Sequence, residues 1–134
     1  MNRPVVVDSS VWIGNLRDDR TEAVRKLRAL DLGVERVVVP DLVLMEVLRG
    51  ARDEVSASRI ERDLRRFDIV GIGGGVLAVE AARHYRHLRR LGVTVRSGID
   101  LLIGAFCIGH GCALLHHDRG DFAPMQRHLG LCCL

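Results

Sequence analysis

The chain reads as an α/β protein with a central parallel sheet of four to five strands and helices on both faces. Two observations predict this class. Val5-Val6-Val7 and Val37-Val38-Val39 are uninterrupted β-branched runs, which suit strands buried on both sides rather than the alternating pattern of a half-exposed sheet. Between and after them come segments with apolar residues at helical spacing. Strands that take turns with amphipathic helices imply right-handed crossovers onto a parallel sheet.

The first strand stops abruptly at Asp8-Ser9-Ser10, before Val11-Trp12-Ile13. Thr21 to Leu30 places Ala23, Val24, Leu27 and Leu30 on one face, with basic residues between them, and predicts a cover helix ended by Asp31-Leu32-Gly33. Arg36 to Pro40 predicts the second strand, with Pro40 placed to open a helix that carries Glu46. Ser56 to Phe67 reads as a further helix. Asp68 to Ile72 reads as a third strand, and a long helix follows from Val76 to about Arg90. Leu91-Gly92-Val93 turns the chain into an apolar helix over Ile99 to Ile108, interrupted by Asp100. Ala113-Leu114-Leu115 predicts a fourth strand ending in His116-His117-Asp118, and Phe122 to Leu134 a short helix with an edge strand. The Gly71-Ile72-Gly73-Gly74-Gly75 run fails as a dinucleotide fingerprint, because Val76 stands where a small residue is required and no Walker lysine follows. It reads as a connector.

With 134 residues, 48% of them hydrophobic, the chain predicts a single domain over residues 1–134 with one ordinary core. No apolar run has the length of a signal peptide or a membrane span, so a soluble cytoplasmic protein is expected. The formal charge of +3 does not by itself imply a nucleic-acid partner. Among the 20 basic residues only Lys26 is lysine, and Arg59, Arg62, Arg65, Arg66 and then Arg83, Arg86, Arg89, Arg90 recur at helical spacing. Each set is either a solvated face or a stripe aimed at phosphates. Aromatics at 4% argue against a base-stacking platform. Cys107, Cys112, His116 and His117 have a spacing that invites zinc, but the cysteines fall in apolar surroundings and are expected to be buried, reduced hydrophobes.

Four carboxylates carry the functional argument. Asp8 and Asp118 stand at predicted strand carboxyl ends, where parallel sheets place their ligand crevice. Glu46 and Asp100 stand within apolar segments, where an ionised group is costly to bury unpaired. Each has a plainer role available. Asp8 can cap the next helical turn, Glu46 can pair with Arg49, and Asp100 can cap its helix or meet Arg96. Together they can converge, and converged carboxylates must take up protons or hold a cation. All-oxygen ligands favour Mg²⁺, with Mn²⁺ a substitute, and the matching chemistry is phosphodiester hydrolysis.

These residues resemble those of the PIN-domain nucleases, most closely the VapC-type toxins of bacterial toxin–antitoxin pairs, over nearly the whole chain. Val7-Asp8-Ser9-Ser10-Val11-Trp12-Ile13 is similar to the first acidic motif, with Ser10 as a supporting hydroxyl. Pro40 to Glu46-Val47 is similar to the second, and Arg96-Ser97-Gly98-Ile99-Asp100 through Ala105 to the third. Leu114 to Phe122 is similar to the closing motif, although His116 stands where Thr or Ser is common, and two residues rather than one separate Asp118 from Asp121. The resemblance implies a three-layer PIN-like fold and a Mg²⁺-dependent endoribonuclease that acts as a homodimer and is neutralised by a VapB-like antitoxin. It implies a metal site of Asp8, Glu46, Asp100 and Asp118, supported by Ser10, Asp121 and His116, with Arg96 and Arg119 toward substrate RNA. The alternative is a PIN-like module that binds RNA or protein without catalysis. Receiver and phosphatase readings of an acidic strand end fail, because no lysine follows a late strand and Ser10 stands where a phosphatase needs its second acid.

Overall fold

The computed structural model describes residues 3–117 and 120–134. Strand β1 (Val5–Val7) leads into helices α1 (Ser9–Leu16) and α2 (Glu22–Arg28), and β2 (Val37–Pro40) leads into α3 (Asp41–Leu48) and α4 (Glu54–Leu64). Then come β3 (Asp68–Val70), α5 (Gly75–Arg90), α6 (Gly98–His110), β4 (Ala113–Leu115), α7 (Phe122–Leu129) and β5 (Cys132–Cys133). The strands form one parallel sheet in the order β3-β2-β1-β4-β5. Val5 pairs with Val37 on one side and Ala113 on the other, so β1 is central and its three valines are buried on both faces, as the unbroken run predicts. The strand order reverses between β1 and β4, and the crevice of an open α/β sheet lies at such a switch.

The helices pack in two groups. Helix α1 contacts α2 and α3, and α3 contacts α4; α5 contacts α6 and α7, and α6 contacts α7. Side chains from both groups close on the sheet, with Val11, Val24, Val43, Leu88, Ile103, Phe122 and Met125 fully buried. Where α6 meets α7 the spacing is set by Gly104, at which a Cβ would collide with Met125 Sδ. Among the described residues no helix is long and apolar enough to cross a membrane.

The observed boundaries differ from the expected ones where caps decide. Helix α4 starts at Glu54, two residues before Ser56, because Asp53 accepts the Ser56 N–H at 2.7 Å. Pro40 is the last residue of β2 and also the N-cap of α3, so it stands where the helix opens, as expected. The glycine connector contains no left-handed residue; positive φ among the glycines falls at Gly92, Gly111 and Gly130, the last two ending α6 and α7. The connector is tied down at Ile72, whose N–H donates to Asp41 Oδ1 at 3.1 Å. Helix α1 is an element the sequence did not announce.

Candidate active site

Asp8 emerges from β1 into the N-cap position of α1, only 5% exposed. Its Oδ2 accepts the backbone N–H of Ser10 at 3.2 Å and the Ser10 hydroxyl as well. The capping role therefore holds, and Ser10 supports Asp8 through two bonds. The other oxygen, Oδ1, is buried with no partner; among the described residues Trp12 Nε1 is the other buried side-chain atom in that condition. A buried carboxylate oxygen without a partner is costly, so Oδ1 is a candidate ligand for a cation.

Glu46 reaches the same place from α3. Ser9, the first residue of α1, donates its hydroxyl to Glu46 Oε1 at 3.0 Å, while Arg49 approaches Oε2 only to 3.9 Å from an exposed position. The ion pair with Arg49 is thus loose, and the hydroxyl is the closer constraint. Ser9 was not singled out in the sequence; its signal was only adjacency to Asp8.

Asp100 sits in the first turn of α6. Ser97 rather than Asp100 caps this helix, accepting the Asp100 N–H at 3.2 Å, and among the described residues Arg96 forms no ion pair with it. Asp100 is left facing the other acids. Its pKa is pushed from an ordinary 3.8 to about 7, first by burial, then by the charge of Asp8, by a hydrogen bond its protonated form makes to Asp121, and by the charges of Asp121 and Glu46. Asp121 holds the loop before α6 in place, with Oδ1 accepting the Arg96 N–H at 3.0 Å and Oδ2 the Ser97 N–H at 3.1 Å.

Asp8, Glu46, Asp100 and Asp121 line one cavity of about 830 Å³, together with Ser9, Ser10 and Arg96. Asp118 and Arg119, expected as the fourth acid and a substrate contact, lie outside the described residues. His116 is not brought to this cavity. Its ring packs on Phe122 at 5.0 Å, its Nδ1 lies 2.9 Å from the His117 carbonyl oxygen, and it lines a neighbouring cavity beside β5. His117 lines the carboxylate cavity instead, as do Arg17 and Asp19 from the end of α1, none of them anticipated.

Among the described residues no three His, Cys, Asp or Glu side chains converge as a ready-made metal cage. The donor set nevertheless fits a hard divalent cation: carboxylate oxygens that repel one another, one of them buried and unpartnered. Zinc does not fit. Cys107 and Cys112 are buried in the core and burial pushes both thiols up, which disfavours the thiolate that zinc requires.

The chain is 32% identical over 124 residues to VapC ribonuclease Mb1587 of Mycobacterium bovis and, to the same extent, to ribonuclease VapC11 of Mycobacterium tuberculosis, covering 92% of this chain and 92% of each relative. In fold it is similar to VapBC-1 from nontypeable Haemophilus influenzae, at a TM-score of 0.75 and 16% identity over 97% of this chain and 96% of that one. It is also similar to FitAB bound to an IR36 DNA fragment, at 0.76 and 19% over 97% and 93%. The family model described as the PIN domain matches residues 5–126, and the chain belongs to that family.

Proposed function

We propose that the chain is a divalent-metal-dependent endoribonuclease and the toxin of a toxin–antitoxin pair. The observation that carries the reading is the meeting of Asp8, Glu46 and Asp100, from three separate elements, in one cavity at the sheet's switch point, with Asp8 Oδ1 unpartnered. Asp8, Glu46 and Asp100 would hold Mg²⁺ or Mn²⁺, with Asp118 as the fourth carboxylate. A divalent cation there supplies Lewis-acid stabilisation of the charge that builds on phosphate oxygens during in-line displacement.

The protein's own groups do the positioning. Ser10 fixes Asp8, Ser9 fixes Glu46, and Asp121 anchors the backbone on which Asp100 stands. Arg96 at the rim offsets the charge of an approaching phosphate, and Arg119 is assigned the same task. The relatives' names as ribonucleases support RNA as substrate, and the presence of VapBC complexes among the fold neighbours supports an antitoxin partner. The protein would act in the cytoplasm as a homodimer.

Purified protein is expected to cleave RNA with Mg²⁺ or Mn²⁺, and to stop on addition of EDTA or on Asp100→Asn, as read on denaturing gels. Cleavage that survives Asp100→Asn unchanged sinks the metal-site assignment. A folded protein that binds RNA but never cuts it favours the non-catalytic module.

A further inference from the structure

Helix α1 does more than present Asp8. Ser10, Ile13, Gly14 and Arg17 all line the carboxylate cavity, and they recur at the three- and four-residue spacing of a single helical face. Between Asp8 at the N-cap and Arg17 at the C-cap the backbone rises about 13 Å. The cavity therefore runs along α1, as a groove with the acids at one end and a guanidinium at the other. Gly14 sits in the middle of that face, where a Cβ would stand 3.2 Å from Val24 Cγ2 and 3.5 Å from both Asp19 Oδ2 and His117 Nε2. The missing side chain keeps the groove open between its two ends.

Arg17 is exposed, and among the described residues no carboxylate lies within ion-pairing distance of it; Asp19, which lines the same cavity, has its Oδ2 beside Gly14. Of the stripe arginines, Arg65 pairs with Glu61, Arg66 with Asp63 and Arg83 with Glu80, while Arg59, Arg62, Arg86, Arg89 and Arg90, like Arg17, have no ion pair among the described residues; what sets Arg17 apart from them is that it lines the cavity. Among the described residues, Arg17 and Arg96 are the arginines that line the groove. Arg96 stands beside the acids, on the loop that Asp121 clamps. Arg17 stands a helix length away, too far to serve the phosphate at the acids and well placed for another phosphate on the same strand.

We propose that Arg17 is a substrate-binding residue that grips an RNA backbone phosphate flanking the one cleaved, so that single-stranded RNA lies along α1 from Asp8 to Arg17. This assignment rests on the ribonuclease reading and extends it. A bidentate guanidinium contact to phosphate holds the strand in register without reading its sequence.

The test uses a short fluorescein-labelled single-stranded RNA and Asp100→Asn protein as the non-cleaving parent, with anisotropy read between about 50 and 200 mM salt. Adding Arg17→Gln is expected to weaken binding about fivefold and to flatten the salt dependence by about 0.7, the share of one single-strand phosphate. Arg17→Lys recovers most of the loss. In the cleaving protein, Arg17→Gln raises KM while kcat stays close to the parent value, a split that a folding defect does not produce. Exposed Arg86 on α5, which does not line the groove, is the matched control. An equal flattening from Arg86→Gln, or an unchanged slope and KM in Arg17→Gln, overturns the assignment while leaving the nuclease reading intact. A parent that binds no RNA at all removes both.

Discussion

Replacing Asp100 by Asn should make the metal-free protein more stable while destroying its activity. Asp100 is raised from 3.8 to about 7 by burial and by Asp8, Asp121 and Glu46. A carboxylate that keeps its proton in the folded state and loses it in the unfolded state makes the fold weaker as pH rises between those values. Stability is therefore full below about pH 4, falls across the interval to about 7, and is flat above it. About three pKa units at 1.36 kcal/mol each sets a ceiling of about 4 kcal/mol. Asp100 is half-buried, and it stands at a helix N-terminus that favours the charged form by about 0.3–1 kcal/mol, so screening and the helix together leave about 1–2 kcal/mol. For a domain of this size that is about 3–8 °C in Tm. The assay is thermal unfolding followed by circular dichroism in EDTA, for parent and Asp100→Asn, at pH 3 and pH 8. The variant should match the parent at the lower pH and exceed it at the higher. Added Mg²⁺ should raise the parent's Tm at pH 8 and leave the variant's nearly unmoved, because a ligand stabilises only the state that binds it. A variant no more stable than the parent at pH 8, or a difference that does not vary with pH, refutes the idea that these acids strain one another across the cavity.

Two further outcomes follow from the packing around the same helices. Asp8→Asn should keep the fold, because Asn caps a helix as well as Asp does, and should abolish metal-dependent cleavage; Asp8→Ala should lose cleavage and also about 0.5–2 kcal/mol of stability, measured by urea unfolding. Gly104→Val should cost about 1–3 kcal/mol through its collision with Met125, and Gly104→Val combined with Met125→Ala should recover part of that loss in the same assay.

The legible part of the molecule was the part governed by periodicity. Val5–Val7 and Val37–Val39 announced buried parallel strands, and the helices between them followed from apolar spacing. Helix α1 escaped because Val11, Trp12 and Ile13 are residues that favour strands, so the segment after the stop at Asp8-Ser9-Ser10 carries no helical pattern. What turns the chain there is the Asp8 side chain capping Ser10, a local bond that no hydrophobic pattern reports.

At the site, residue types were legible and their directions were not. His116 and His117 follow a strand in which neighbouring side chains leave on opposite faces, so a choice between them needs the register to a single residue. The structure sends His116 against Phe122 and His117 to the lining of the carboxylate cavity, near Gly14. Ser9 and Ser10 divide in a similar way on the first turn of α1, where Ser10 folds back on Asp8 and Ser9 reaches across to α3 for Glu46.

Asp8 shows why such divisions cannot be read from a string of residues. A capping aspartate and a metal-binding aspartate look identical in sequence, and weighing one role against the other assumes that the carboxylate has a single job. It has two oxygens, and here they part company: Oδ2 is held by Ser10 and starts α1, and Oδ1 is buried without a partner. The cap is what makes the second oxygen useful. A carboxylate fixed through one oxygen at a helix start cannot turn away from its neighbours to relieve their repulsion, so Asp8, Glu46 and Asp100, if they hold a divalent cation as proposed, would present it with donors already oriented.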